Sequence, residues 1–144
     1  MKIGFISLLG MRGQWYVTKN FMSALQNEHE LFLLARPFNV RDGTFIGNID
    51  DYQIKAKTIY SPTYALNPEI VSKWVKENKL DIVFFNEEYD WRLVEAAKNS
   101  GAKVITYLDY FTAESIPKFQ IYDKIIACAR HAYDVFINAG AKNI

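Results

Sequence analysis

The chain of 144 residues has one cysteine, Cys128, so it forms no internal disulfide, and no zinc or iron–sulfur spacing is present. Such cysteine usage points to the cytoplasm. An excess of one charge is also missing. Seventeen Lys and Arg against sixteen Asp and Glu leave +1 at neutral pH, too little for the basic stripe that DNA or RNA requires. No apolar run approaches the roughly 18 residues of a membrane span. The opening Met-Lys-Ile-Gly-Phe-Ile-Ser lacks the small-residue cleavage site of a signal peptide. Internal repeats and low-complexity segments are absent as well.

What is there is a globular composition, half hydrophobic and 23% charged, in a length that suits one domain with its own core. Residues 2–9 and 30–35 are continuous apolar runs, as expected of strands buried on both faces of a parallel sheet. Between them Trp15, Val17, Phe21, Met22 and Leu25 recur at helical spacing. Residues 36–51 read as loop and 54–60 as an edge strand. Asn67-Pro68-Glu69 is a strong helix start, with a cap, a proline at the first position and an acid in the first turn. Strands are expected at 80–85, 102–108 and 124–129, and helices at 91–99 and 132–138, stopped by Gly101 and Gly140. The alternation predicts an α/β, doubly wound, mainly parallel sheet with helices on both faces. The ending at 140–144 falls where another strand is due, so a domain boundary is expected there.

In an open α/β sheet, ligands bind outside the carboxyl ends of the strands. Residues 9–14, 86–90, 109–112 and 128–131 are expected to gather at that rim. Gly10-Met11-Arg12-Gly13 lacks the third glycine of a dinucleotide fingerprint, and the second strand ends in Ala35-Arg36-Pro37, without the acid that would hold a ribose. No Gly-Lys-Ser/Thr follows, so it is not a P-loop either. Two readings remain: the glycines permit a tight turn, or a bare backbone lets a ligand or facing domain approach the helix amides, with Arg12 adding charge. Glu87, Glu88 and Asp90 suit a base, a metal or sugar hydroxyls, or simply cap the next helix. Asp109, followed by Tyr110 and Phe111, suits a flat polar ligand, although aromatics in so aromatic a chain are usually core. Cys128 lies in an apolar run, against a role as nucleophile. Arg130, at a strand end, suits a phosphate or carboxylate.

The start K-I-G-F-I-S-L with its glycine turn, the strands L-D-I-V-F-F and G-A-K-V-I-T-Y-L-D, and the close Y-D-K-I-I-A-C-A-R-H-A-Y-D-V-F-I-N-A-G-A-K-N-I together resemble the N-terminal half of retaining GT-B glycosyltransferases. The resemblance implies two Rossmann-like domains facing across a cleft. Residues 1–144 would be the acceptor-side domain, and a C-terminal domain outside this chain would bind most of a nucleotide-sugar. That donor is a substrate, with no cofactor and no metal required. Many relatives end the fifth strand in a Thr-x-His-Asp-like run; here Thr106-Tyr107-Leu108-Asp109 puts leucine at the histidine position. Asp109 and Glu87 are then the catalytic candidates. Gly10, Met11, Arg12, Gly13, Gln14, Glu88, Tyr110 and Arg130 are the candidates for binding substrate. The acceptor is a hydroxyl of a glycan, a lipid-linked sugar or a small molecule, and a basic, aromatic membrane-facing patch is expected around Lys19 and 36–41. Half a cleft is expected to be inactive alone. A stand-alone receiver- or flavodoxin-like module is the alternative. Ser7 and Leu8, where a receiver has an acidic pair, and the hydroxyl-poor turn at 9–13 count against it. A nucleotide-sugar epimerase of the Tyr-x-x-x-Lys type lacks both its third glycine and that pair.

Overall fold

The structure, a computed structural model, describes residues 1–10, 12–38 and 47–144. Met11 and residues 39–46 lie outside the described residues, and with them the Met11 contact and most of the expected basic patch. Strands β1 (Lys2–Leu8), β2 (Glu30–Arg36), β3 (Ala56–Tyr60), β4 (Ile82–Asn86), β5 (Lys103–Leu108) and β6 (Lys124–Ala127) alternate with helices α1 (Gly13–Leu25), α2 (Pro68–Asn78), α3 (Trp91–Asn99) and α4 (Arg130–Asn138). The sheet is parallel throughout, in the order β3-β2-β1-β4-β5-β6. That is the Rossmann order, not the 2-1-3-4-5 order of receivers and flavodoxins, so the alternative reading loses its fold.

The apolar runs divide by the two-residue period of a strand. Phe5, Leu31 and Leu33 face α1 and pack with Trp15 and Met22. Ile6, Phe32, Leu34 and Phe85 face the other side, against Trp74, Val75, Leu93 and Val94 of α2 and α3. Local chemistry sets the helix starts. The Asn67 side chain accepts from the Glu69 amide at 2.9 Å, with Pro68 at the first position, and Asp90 caps α3 through the Arg92 amide. Among the described residues no side-chain hydrogen bond caps α1, whose N-cap is Arg12.

Two elements differ from expectation. Residues Ile49–Tyr52 and Ile116–Ile121 are short 3₁₀ helices, the first at the end of the segment that reads as loop and closed by an Asn48–Asp51 capping box, the second in a stretch for which no element is expected. Arg36 also differs. It belongs to β2 and is turned inward, so it is not part of a membrane-facing patch.

Candidate functional site

The strand order reverses between β1 and β4, which places the crevice of the sheet at their carboxyl ends. A cleft of about 350 Å³ opens there. It is lined by Leu8, Arg12, Gly13 and Gln14 from the β1–α1 turn, Glu87 after β4, Asp109 after β5, and Tyr64 from the β3–α2 link. Three of the four expected segments therefore line it, and the fourth reaches its rim where the Cys128 thiol hydrogen-bonds Asp109.

The two glycines have different reasons. A Cβ on Gly10 would come within 2.8 Å of Phe38 Cδ2, so Gly10 is kept small by a neighbouring side chain. A Cβ on Gly13 would meet nothing within 4 Å. Gly13 faces open space at the first position of α1, where the turn is left uncapped, and the Arg12 guanidinium lies 5.1 Å from the Phe38 ring beside it. Early amides, a positive helix end and one cation together favour an anion.

The floor is fixed by a reciprocal pair of contacts. Gln14 Nε2 donates to the Asn86 carbonyl at 2.6 Å, and Asn86 Nδ2 donates to the Gln14 carbonyl at 2.6 Å. Asn86 also donates to Thr18 Oγ1, which donates to Ser7 Oγ, so β1, α1 and β4 share one buried polar network. Asn86 was not among the sequence candidates. A lone Asn at a strand end carries no pattern that distinguishes it.

Beyond Asn86 the chain turns sharply. Glu87 has a left-handed backbone, φ 54°, which costs a non-glycine residue about 1–3 kcal/mol. The turn brings its carboxyl to that of Asp109. Partial burial, then the neighbouring Asp109 charge and a hydrogen bond with it, push the Glu87 carboxyl above its ordinary value. Burial and the same two acids push the Tyr89 hydroxyl up to about 12. Partial loss of water and the Asp109 carboxylate push up the exposed Cys128 thiol, which holds it in the unreactive form.

Other candidates are placed differently. Glu88 is buried, and both its oxygens are engaged, one by Arg36 at 2.6 Å and one by the Asp90 amide at 2.8 Å. Tyr110 is exposed beside Asp109, its carbonyl accepting from the Tyr89 hydroxyl. Arg130 stands at the start of α4, paired with Asp134 one turn on at 2.8 Å and lying over Tyr133. It does not line the cleft. Leu108 is buried in the core, so no side chain reaches the rim from that position.

A parallel doubly wound sheet with its cleft at the β1/β4 reversal defines a Rossmann-like α/β domain. Its nearer likeness is to proteins of the GT-B fold. The lipopolysaccharide outer core galactosyltransferase WaaB, in its apo form, matches at a TM-score of 0.66 with 20% identity, covering 99% of this chain and 43% of its own. The UDP-N-acetylglucosamine 2-epimerase from Rickettsia bellii matches at 0.64 with 16% identity, covering 99% and 43%. MurG from Acinetobacter baumannii matches at 0.60 with 16% identity, covering 88% and 41%. The chain thus spans less than half the length of each. No family model matches it, and no curated protein matches it in sequence. Among the described residues no helix is long and apolar enough to cross a membrane.

Proposed function

We propose that the chain is the acceptor-side domain of a glycosyltransferase, which moves a sugar from a nucleotide-sugar to a hydroxyl acceptor. The observation that carries this reading is the cleft itself, where the Glu87–Asp109 carboxyl pair faces the open first turn of α1. The turn and Arg12 would take part of the donor's diphosphate charge. The carboxyl pair would orient the acceptor hydroxyl and accept its proton as the oxygen bonds to the anomeric carbon and the diphosphate leaves. A base works best when its affinity for protons lies near the working pH, and partial burial, with the neighbouring Asp109 charge, moves Glu87 in that direction. A second domain would supply most of the donor contacts, so the 144 residues alone would turn over negligibly. We place the enzyme in the cytoplasm, with Gly10 serving packing and Arg130 outside the site.

The test uses the product of the whole reading frame that contains this chain, assayed for transfer from a panel of nucleotide-sugars. Asp109→Ala and Glu87→Ala should each lower kcat by about 10²–10⁴-fold. Unchanged rates in both would remove the site assignment. A second reading, epimerisation, draws on the 2-epimerase likeness and the same carboxyl pair. It is separated in this assay by conversion of the nucleotide-sugar with no acceptor present.

A further inference from the structure

A second compartment adjoins the cleft on the side away from α1. It holds about 280 Å³ and shares Tyr64 and Glu87 with its neighbour, so the two are adjacent. The size lies just below the roughly 300 Å³ at which sites for drug-sized ligands begin, room for about one ring. Its walls combine three kinds of group. Tyr64, Leu66 and Leu93 offer apolar faces, and Glu87 and Asp90 offer carboxylate oxygens. Arg36, nine-tenths buried, also lines it, with its guanidinium 5.3 Å from the Tyr64 ring and its Nε without a partner among the described residues.

Charge decides what fits. Arg36 is matched by Glu88 at 2.6 Å, so it adds no net positive potential. Asp90 is matched in the same way by Arg92, at 2.7 Å, which leaves Glu87 as the lining acid without a paired cation among the described residues. An anion brought here would be repelled and would find no free cation among the lining residues. A neutral polyhydroxyl ring suits both surfaces. Its C–H face lies on Tyr64 and the leucines, and its hydroxyls donate to carboxylates, the stronger kind of hydrogen bond. The first compartment differs in offering an anion Arg12 and the amides of α1, across from the Glu87–Asp109 pair.

We infer that the Tyr64–Arg36–Glu88 compartment is a subsite for an uncharged sugar ring next to the reacting one, so that the acceptor is a neutral glycan of at least two residues. The inference rests on the glycosyltransferase reading for the word acceptor, but not for the binding of the ring. It makes Tyr64 a specificity residue and gives the buried ion pair a second task, holding the compartment's wall without lending it charge.

The test is a titration of the ¹⁵N-labelled chain followed by amide shifts. Maltose, lactose and diacetylchitobiose are the neutral probes, and glucuronate and glucose 6-phosphate the anionic ones. At least one neutral disaccharide should move the amides of Tyr64, Ala65, Leu66 and Tyr89, and the anionic sugars should bind at least about tenfold more weakly. Tyr64→Ala should weaken the neutral probe about tenfold, while Tyr64→Phe, which keeps the ring, should retain most of the binding. Uridine diphosphate is titrated separately and reports on Gly13 and Gln14. If it moves those amides while no disaccharide moves the others, the subsite is refuted and the glycosyltransferase reading stands. If disaccharides bind at Tyr64 but the full reading frame shows no transfer, the subsite stands and that reading falls. Equal binding of neutral and anionic sugars overturns the inference.

Discussion

Replacing Arg36 by methionine gives the sharpest test of how the rim is built. The guanidinium and the Glu88 carboxylate are 2.6 Å apart, with side-chain exposures of 10% and 9%. Methionine keeps much of the stem's volume but leaves the carboxylate buried and unpaired. Removing one partner of a buried pair costs about 3–5 kcal/mol. Against a total stability of roughly 5–15 kcal/mol that is a large fraction, and in a chain of this size it lowers Tm by roughly 10–20 °C. Adding Glu88→Gln should then restore part of the loss, because the amide is neutral and its oxygen can still accept from the Asp90 amide. The assay is thermal and urea unfolding of wild type, both single variants and the double. A cost below about 1 kcal/mol for Arg36→Met is what an exposed pair would show, and it would refute the burial argument. So would a double variant less stable than Arg36→Met alone.

Two further predictions concern the cleft. Glu87 holds its proton to higher pH in the folded chain than in the unfolded one, where its ordinary value is 4.5. Its contribution to stability is therefore present in full below 4.5 and is lost as pH rises through the raised folded value. Acids held low, such as Asp90 beside Arg92, act in the opposite sense, so the readout is the difference between wild type and Glu87→Gln in urea midpoints. Glu87→Gln should gain on wild type toward neutral pH, and a difference that does not change with pH would contradict the assignment. Gly10→Ala should cost about 1–3 kcal/mol, since its Cβ lies 2.8 Å from Phe38 Cδ2. Gly13→Ala, with nothing within 4 Å, should be neutral or gain up to about 1 kcal/mol. Thermal melts that fail to separate the two would undo the division of roles between these glycines.

Much of this fold could be read along the chain, because each feature had a local cause. Residues 2–9 and 30–35 are apolar on both faces, and only a parallel sheet covered by helices buries both. Asn67-Pro68 marks a helix start by its own chemistry, and α2 begins at Pro68. The two 3₁₀ helices escaped, since one or two turns carry no hydrophobic period. The cleft was partly legible: strand ends must gather, and Arg12, Gly13, Gln14, Glu87 and Asp109 do. Tyr64 was invisible because it sits in a link, not at the end of a strand. The partnership of Arg36 with Glu88, 52 residues apart, has no signature in spacing. The Arg130–Asp134 pairing did have one, the four-residue interval of a helix face, and it takes Arg130 out of the cleft.

The pairing of β1 with β4, which makes the floor of the cleft, also sets a burden on synthesis. Ile3 pairs with Ile82, 79 positions later. At about 5–20 residues per second, roughly 4–16 s of translation separate them. During that time β1 can find β2 on one side, but its other edge stays open and is among the most apolar segments of the chain. Such an edge is a template for mispairing with neighbouring chains. The yield of this protein in a cell is then governed less by the depth of its native minimum than by how well nascent β1 is shielded until β4 arrives.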